Sequence, residues 1–147
     1  RHASSSEVTD YVRDADIYIH ALRRRGRDLR DKFAEAVGRI SMSTVTLTEL
    51  LVGVAKSQNP VLRHEELLRF RARLDLLDFD EQAAAHASDI RASLERSGQK
   101  IGPLDTLLAG QARSLGLTVV TANIREFSRV EGLLVENWLG QGQGFHE

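Results

Sequence analysis

The sequence predicts an α/β fold, a three-layer α/β/α sandwich around a mainly parallel central sheet. Short apolar segments alternate with amphipathic helical segments along the chain, and we find no internal repeat. The run 117–121 is short and mostly apolar, as is typical of a buried parallel strand. A chain of 147 residues can bury a core of its own. We therefore expect one domain over residues 8–139, with 1–7 and 140–147 as flexible ends or a cloning remnant.

The first half of the chain is divided by short apolar runs and their polar flanks. Ser43 suits the N-cap of a helix, and Asn59 with Pro60 is interpreted as the signal that stops that helix. In chain order, the predicted elements are a strand over 8–12, helices over 17–24 and 28–37, a strand over 39–42 and a helix over 45–56.

The second half carries clearer helical signals. An apolar stripe at every third or fourth position ends at Gly98, and a further helix opens at Pro103 and closes at Gly116. The predicted elements are helical spacing from residue 67, a strand over 76–79, helices over 81–96 and 103–115, and strands over 117–121 and 133–135.

Composition excludes several classes of site. The chain has no cysteine, which rules out disulfides, thiolate zinc sites and a cysteine nucleophile, and agrees with a reducing cytoplasm. There is no apolar run of about 18 residues to span a membrane. The net charge is −1, so nucleic-acid binding would depend on local patches. One such patch is a basic stretch, either an RNA-phosphate contact or a solvated helical face, formed by Arg23, Arg24, Arg25, Arg27 and Arg30.

Four polar residues stand where predicted strands and helices meet: Asp14, Glu49, Asp105 and Asn123. In open parallel sheets, ligand sites collect at the carboxyl ends of strands, so this placement would bring distant residues together.

Each of these residues also has a purely structural explanation. Thr46 and Glu49 have the spacing of a capping box, and Asp105 would complement a helix dipole. Asp14 could be a turn residue, and Asn123 could simply end a strand. The helix that carries Glu49 is apolar nearly all round, which predicts that it is buried. A buried carboxylate is costly unless it is paired, protonated or bound to a metal.

Three converging carboxylates would favour a divalent cation. At about 5 Å and an effective dielectric of about 20, each pair repels by roughly 3 kcal/mol, a term that a cation reverses. Oxygen ligands suit Mg²⁺, or Mn²⁺ as an alternative, and the histidines lack the paired spacing of a zinc site. The matching chemistry is phosphoryl transfer.

Three segments carry a family resemblance: 43–50 (STVTLTEL), 101–105 (IGPLD) and 119–127 (VVTANIREF). They resemble the S-x-V-T-x-x-E-L, I-G-P-x-D and V-V-T-x-N-x-R-E-F segments of VapC-type PIN domains, the endoribonuclease toxins of VapBC toxin–antitoxin pairs. The resemblance extends from about Tyr11 to Trp138.

The resemblance implies a metal site built from Asp14, Glu49 and Asp105, with Asn123 in fourth position and Glu126 as a weaker candidate. Asp14 and Asp105 would bind Mg²⁺ or Mn²⁺. Glu49 would orient or deprotonate the water, and Asn123 would hold a water or the substrate. The resemblance also implies cleavage of RNA, with tRNA as a candidate substrate, a VapB-like antitoxin and a homodimer.

The first motif departs from the family pattern. The family usually has Asp-Thr-Asn after a hydrophobic strand, whereas this chain has Asp14, Ala15 and Asp16 after Arg13. The departure leaves open a catalytically silent PIN-like module that binds RNA or a protein. A receiver-type phosphoacceptor domain is a second alternative, although Asp105 after Gly-Pro at a helix start fits that class less well.

Overall fold

The computed structural model describes residues 11–13 and 40–137, and the remaining residues are not considered further as structure. Asp14, the basic stretch, the predicted helices over 17–24 and 28–37 and both chain ends lie outside the described residues. In chain order, the described elements are β1 (Tyr11–Arg13), β2 (Ile40–Ser43), α1 (Thr44–Ala55), α2 (Pro60–Arg71), β3 (Asp75–Leu77), α3 (Glu81–Arg96), α4 (Pro103–Leu115), β4 (Thr118–Val120), α5 (Ile124–Phe127) and β5 (Leu134–Glu136).

The strands form a five-stranded sheet in the order β3-β2-β1-β4-β5, and every neighbouring pair is parallel. Helices α1 and α2 connect β2 to β3, whereas α3 and α4 connect β3 to β4 in the opposite direction across the sheet. Because parallel crossovers are right-handed in nearly all proteins, these two connections lie on opposite faces. The three-layer α/β/α prediction is confirmed.

Two groups of core side chains correspond to the two faces. The larger group joins β1 and β4 to α3 and α4 through residues such as Val12, Ile90, Leu108 and Val119. The smaller group is formed by buried Met42, Leu50 and Leu67, from β2, α1 and α2. Successive side chains along a strand point to opposite faces, so Val12, which pairs with Ser41, and the next residue of β2, Met42, contribute to different layers.

Local sequence explains where the main helices begin and end. Ser43 Oγ accepts the backbone N–H of Val45 at 3.0 Å and caps α1, as predicted. Asp80 Oδ1 accepts the N–H of Ala83 at 2.9 Å and caps α3. Helix α4 starts with Pro103 and ends at Gly116, whose φ of 69° lies in the left-handed region that glycine favours.

Two expectations about the α1–α2 region were wrong. Asn59 and Pro60 do not end α1, which already stops at Ala55; they begin α2, since Asn59 Oδ1 accepts the N–H of Leu62 at 3.4 Å. Helix α1 is buried on one side only, because Leu51 is 38% and Val52 is 47% exposed.

Among residues 11–13 and 40–137, no helix is both long and apolar enough to cross a membrane.

Candidate active site

The carboxyl ends of all five strands lie along one edge of the sheet because the strands are parallel. Strand β1 has β2 on one side and β4 on the other, so the direction of the connections reverses beside β1. Open α/β sheets place their ligand sites outside the carboxyl ends of the strands at such a reversal. Asp14 follows Arg13, the last residue of β1, directly in the sequence and is itself outside the described residues.

Glu49 lies in the second turn of α1 and is half-buried. One turn earlier, Thr46 is buried, and its hydroxyl donates to the backbone carbonyl of Arg13 at 3.2 Å. This bond ties the start of α1 to the end of β1. The Thr46 hydroxyl is therefore bonded to the neighbouring strand. The capping-box explanation for Thr46 and Glu49 is wrong, because the N-cap of α1 is Ser43.

Asp105 lies in the first turn of α4 and is half-buried. Its Oδ2 would be 3.5 Å from a Cβ at Gly102, so the carboxylate folds back over the residue that precedes the helix. Thr106 strengthens this turn, because its hydroxyl donates to the Gly102 carbonyl at 2.9 Å. A negative side chain here also interacts favourably with the helix dipole, so the structural role expected for Asp105 does not exclude a second, chemical role.

Asn123 occupies the N-cap position of α5, just beyond the end of β4. Its side chain makes no capping hydrogen bond, and its backbone N–H donates to Thr121 Oγ1 at 2.8 Å. The hydroxyl of Thr121 thus shapes the turn while the amide of Asn123 is not used to cap the helix. Glu126 follows in the first turn of α5 and is half-buried.

Helices α1 and α4 contact each other, and a buried glutamine shows where they meet. Gln111 of α4 accepts a hydrogen bond from Ser43 Oγ and donates to the carbonyls of Leu77 at 3.1 Å and Asp78 at 2.9 Å. Ser43 ends β2 and Leu77 ends β3, so α4 passes over the carboxyl edge of the sheet. The structure therefore places the helices that carry Glu49 and Asp105 side by side at this edge.

The described side chains include only two of the three carboxylates of the predicted metal site. Within residues 11–13 and 40–137, no three His, Asp or Glu side chains lie close enough together to hold a metal ion. Glu49 and Asp105 contribute two half-buried carboxylates from neighbouring helices, and the predicted third ligand, Asp14, belongs to the part of the chain that is not described. Carboxylate and amide oxygens are hard ligands, and this donor chemistry suits Mg²⁺ or Mn²⁺.

Sequence reasoning missed Gln111 and Ser43 as a pair. The only local signal is that Gln111 is a polar residue between Gly110 and Ala112 in an otherwise apolar part of α4, and all three positions are buried. Its partner, Ser43, is 68 positions away in the sequence, beyond the reach of any local pattern.

Comparisons with known proteins agree with this architecture. The family model described as the PIN domain matches residues 11–133. The tRNA(fMet)-specific endonuclease VapC of Shigella flexneri is 42% identical over 128 residues, which cover 87% of this chain and 97% of the relative. Ribonuclease VapC2 of Haemophilus influenzae is 37% identical over 129 residues, covering 88% of this chain and 98% of the relative.

Comparison with solved structures also leads to a VapBC protein. The chain resembles a chain in the crystal structure of DNA-bound VapBC from Salmonella typhimurium with a TM-score of 0.85 and 38% sequence identity. The match covers 88% of this chain and 98% of that one. The fold and the sequence thus lead to the same group of relatives.

Proposed function

This chain belongs to the PIN-domain family, with VapC ribonucleases among its relatives, and we propose that it is a metal-dependent endoribonuclease that hydrolyses RNA phosphodiester bonds. One observation supports the proposal most strongly. Helices α1 and α4, which carry Glu49 and Asp105, contact each other, and the first turn of α1 is hydrogen-bonded to Arg13, the residue before Asp14.

We assign distinct roles to the candidate residues. Asp14 and Asp105 hold a divalent cation, Mg²⁺ or alternatively Mn²⁺. When bound, such an ion orients the scissile phosphate and stabilises charge on the leaving oxygen. Glu49 orients the attacking water and accepts its proton as the new phosphorus–oxygen bond forms and the old one breaks. Asn123 binds a water or the substrate through its side-chain amide.

Relatives supply the substrate and partner part of the proposal. A 42% identical relative is named a tRNA(fMet)-specific endonuclease, and the similar solved structures are complexes of the VapBC type. We propose tRNA as the substrate, a VapB-like antitoxin that blocks the acidic edge, and the cytoplasm as the place of action.

We also propose that the chain forms a homodimer through the α1–α2 hairpin. The two helices of this hairpin carry exposed apolar side chains, Leu51, Val52, Val61, Leu62 and Leu68. We call these five residues the hairpin patch. A cluster of exposed apolar side chains on one pair of helices is typical of a protein–protein contact.

Cleavage of RNA by the purified chain tests the proposal directly. Fluorescent tRNA should be cut in the presence of Mg²⁺, cutting should stop with EDTA, and excess Mg²⁺ should restore it. Asp105→Asn removes one metal-binding charge and should lower kcat at least about 100-fold, the lower end of the range for a group that acts on the transition state. Glu95→Gln removes a carboxylate charge at an exposed position near the end of α3 and should cleave like the wild type.

The altered first motif favours one alternative, a PIN-like module that binds RNA without cutting it. Asp16 stands where the family usually has an amide, and it adds a negative charge two residues after the proposed ligand Asp14. Wild-type protein that binds tRNA but leaves it intact with either metal would support this alternative against the nuclease. Equal cleavage by wild type and Asp105→Asn, with contamination excluded, would reject the roles assigned above.

A further inference from the structure

Gln111 uses its whole side-chain amide inside the protein. The residue is 1% exposed. Its oxygen accepts from Ser43 Oγ, and its nitrogen donates one hydrogen to each of the Leu77 and Asp78 carbonyls, at 3.1 and 2.9 Å. An amide nitrogen has two hydrogens to donate, so both are used. Because all three hydrogen bonds of this buried amide are made, the Gln111 side chain links α4 to the ends of β2 and β3 in one fixed orientation.

Ser43 connects Gln111 to the first turn of α1. Its hydroxyl also accepts the backbone N–H of Val45 at 3.0 Å, the bond that caps the helix. A hydroxyl has one hydrogen to donate, and here that hydrogen goes to Gln111 while a lone pair accepts from the helix. The side chain that begins α1 is therefore oriented by the side chain in the middle of α4.

Thr46 extends the network to β1. Its hydroxyl donates to the Arg13 carbonyl at 3.2 Å, in the turn of α1 that lies between Ser43 and Glu49. Hydrogen bonds thus connect Gln111, through Ser43 and the first turn of α1, to the residue that precedes Asp14. The network contacts each of the three elements that carry or adjoin the proposed carboxylates.

These hydrogen bonds fix the position of α4 along its own axis. Asp105 precedes Gln111 by six residues in the same helix, about 9 Å at the usual rise per residue. The apolar contacts of a helix tolerate small sliding movements, whereas hydrogen bonds to three separate groups do not. The glutamine therefore determines how far along the carboxyl edge Asp105 sits relative to Glu49.

We propose that Gln111 is a positioning residue that sets the divalent-cation affinity of the site by holding the helices of Glu49 and Asp105 in register. The inference depends on the proposed function, since it concerns the same site. Groups that orient metal ligands typically contribute a factor of about 10 to 100 to metal affinity or activity.

Gln111→Met tests this proposal because methionine has a similar length and shape but makes none of the three hydrogen bonds. Mn²⁺ binding would be measured by electron paramagnetic resonance without RNA, and kcat and KM would be measured with a tRNA substrate. We expect the Mn²⁺ dissociation constant to rise about tenfold and kcat to fall by a similar factor. KM for the RNA should stay within about twofold, because Gln111 is buried away from any bound polymer. Gln82→Met, at an exposed position of α3, is the matched control and should leave all three values unchanged.

Ser43→Ala provides a second test that leaves the two carbonyl bonds of Gln111 intact. It should also weaken Mn²⁺ binding, and the double variant should weaken it by less than the product of the two single effects, because both substitutions break the same bond. If Gln111→Met does not fold, the Mn²⁺ affinity of the single Ser43→Ala variant tests the positioning role.

The outcomes separate this inference from the proposed function. Wild-type protein that binds Mn²⁺ and cleaves RNA, together with variants that match it in Mn²⁺ affinity and kcat, would overturn the positioning role alone. A loss of stability with unchanged Mn²⁺ affinity would do the same, because it would make Gln111 a purely structural residue. Wild-type protein that neither binds Mn²⁺ nor cleaves RNA would overturn both.

Discussion

The α3–α4 pair and the α1–α2 hairpin use their apolar residues in different ways. In the α3–α4 pair, the stripe predicted from the sequence is buried in the larger core, and Gly110 lies directly against the backbone of Ala87. In the hairpin, only Leu50 and Leu67 are buried apolar residues, while the hairpin patch faces outward. The difference indicates that one pair of helices mainly stabilises the domain, whereas the other leaves apolar side chains exposed, as the proposed dimer contact requires.

The largest effect is expected at Gly110, where the two stabilising helices touch. A Cβ at this position would lie 2.6 Å from the Cα, Cβ and N atoms of Ala87, and backbone atoms cannot move aside without displacing the helix. Gly110→Ala should therefore lower the free energy of unfolding by about 3 kcal/mol, as measured by urea denaturation.

Gly53→Ala is the matched control for this prediction. It makes the same substitution in α1, where a Cβ would meet nothing within 4 Å. Because alanine favours a helix over glycine, we expect this variant to be more stable by up to about 1 kcal/mol. Equal stability of the two alanine variants would show that the α3–α4 contact is no tighter than the hairpin.

A smaller effect is expected at the hairpin patch, and it should appear in association rather than in folding. Val61 is 73% exposed, so Val61→Glu costs little in the folded monomer but places a charge in the proposed dimer contact. We expect the dimer dissociation constant to rise about tenfold, or about 1.4 kcal/mol, in sedimentation velocity experiments.

Leu115→Glu introduces the same charge at a 51% exposed leucine at the end of α4, and the dimer should persist. Dissociation by Leu115→Glu but not by Val61→Glu would contradict the assignment of the contact to the hairpin. If Val61→Glu weakens antitoxin binding and leaves the dimer intact, the patch belongs to the antitoxin instead.

The smallest effect concerns the ion pair between α3 and α4. Arg113 donates to Asp89 Oδ2 at 2.8 Å, and this hydrogen bond, followed by the charge of the guanidinium, holds the pKa of Asp89 below its usual value. A carboxyl group with a lowered pKa in the folded state stabilises that state above its unfolded pKa. The stabilisation is lost as the pH falls through the folded value.

Asp89→Asn should therefore melt slightly below the wild type at neutral pH and level with it in strong acid, as recorded by thermal scans across that range. Because Asp89 is largely exposed, solvent screening keeps the effect small. A difference in melting temperature that grows toward acid pH would contradict the sign of this prediction.

Much of the fold follows from local signals that have a single meaning. Helix α3 matches its predicted bounds because Ala83, Ala87, Ile90 and Leu94 form one buried stripe after the Asp80 cap. The start of α2 was missed because Asn59 and Pro60 suit a helix stop as well as a helix start; α1 already ends at Ala55, and these two residues begin the next helix. The exposure of α1 was missed for a different reason, since a run of apolar residues has the same sequence pattern whether the fold buries it or leaves it exposed.

The general location of the candidate site, at the carboxyl ends of the parallel strands, was predictable from the sequence. Those rules predict Glu49 and Asp105 at one edge, and the structure shows that the two helices that carry them contact each other. They could not identify the network around Gln111, which joins residues from distant parts of the chain through specific hydrogen bonds. The contribution of Asp14 stays a prediction, because it lies outside the described residues.

Mn²⁺ titration of the free protein, followed by electron paramagnetic resonance, tests most directly the claim that carboxylates from separate elements bind one cation. Wild type should bind Mn²⁺ at a site that Mg²⁺ competes for, and Asp105→Asn should weaken that binding at least about tenfold while Glu95→Gln leaves it unchanged. Equal Mn²⁺ affinity for the wild type and Asp105→Asn would contradict the account, because the edge of the sheet would then bind no cation through Asp105.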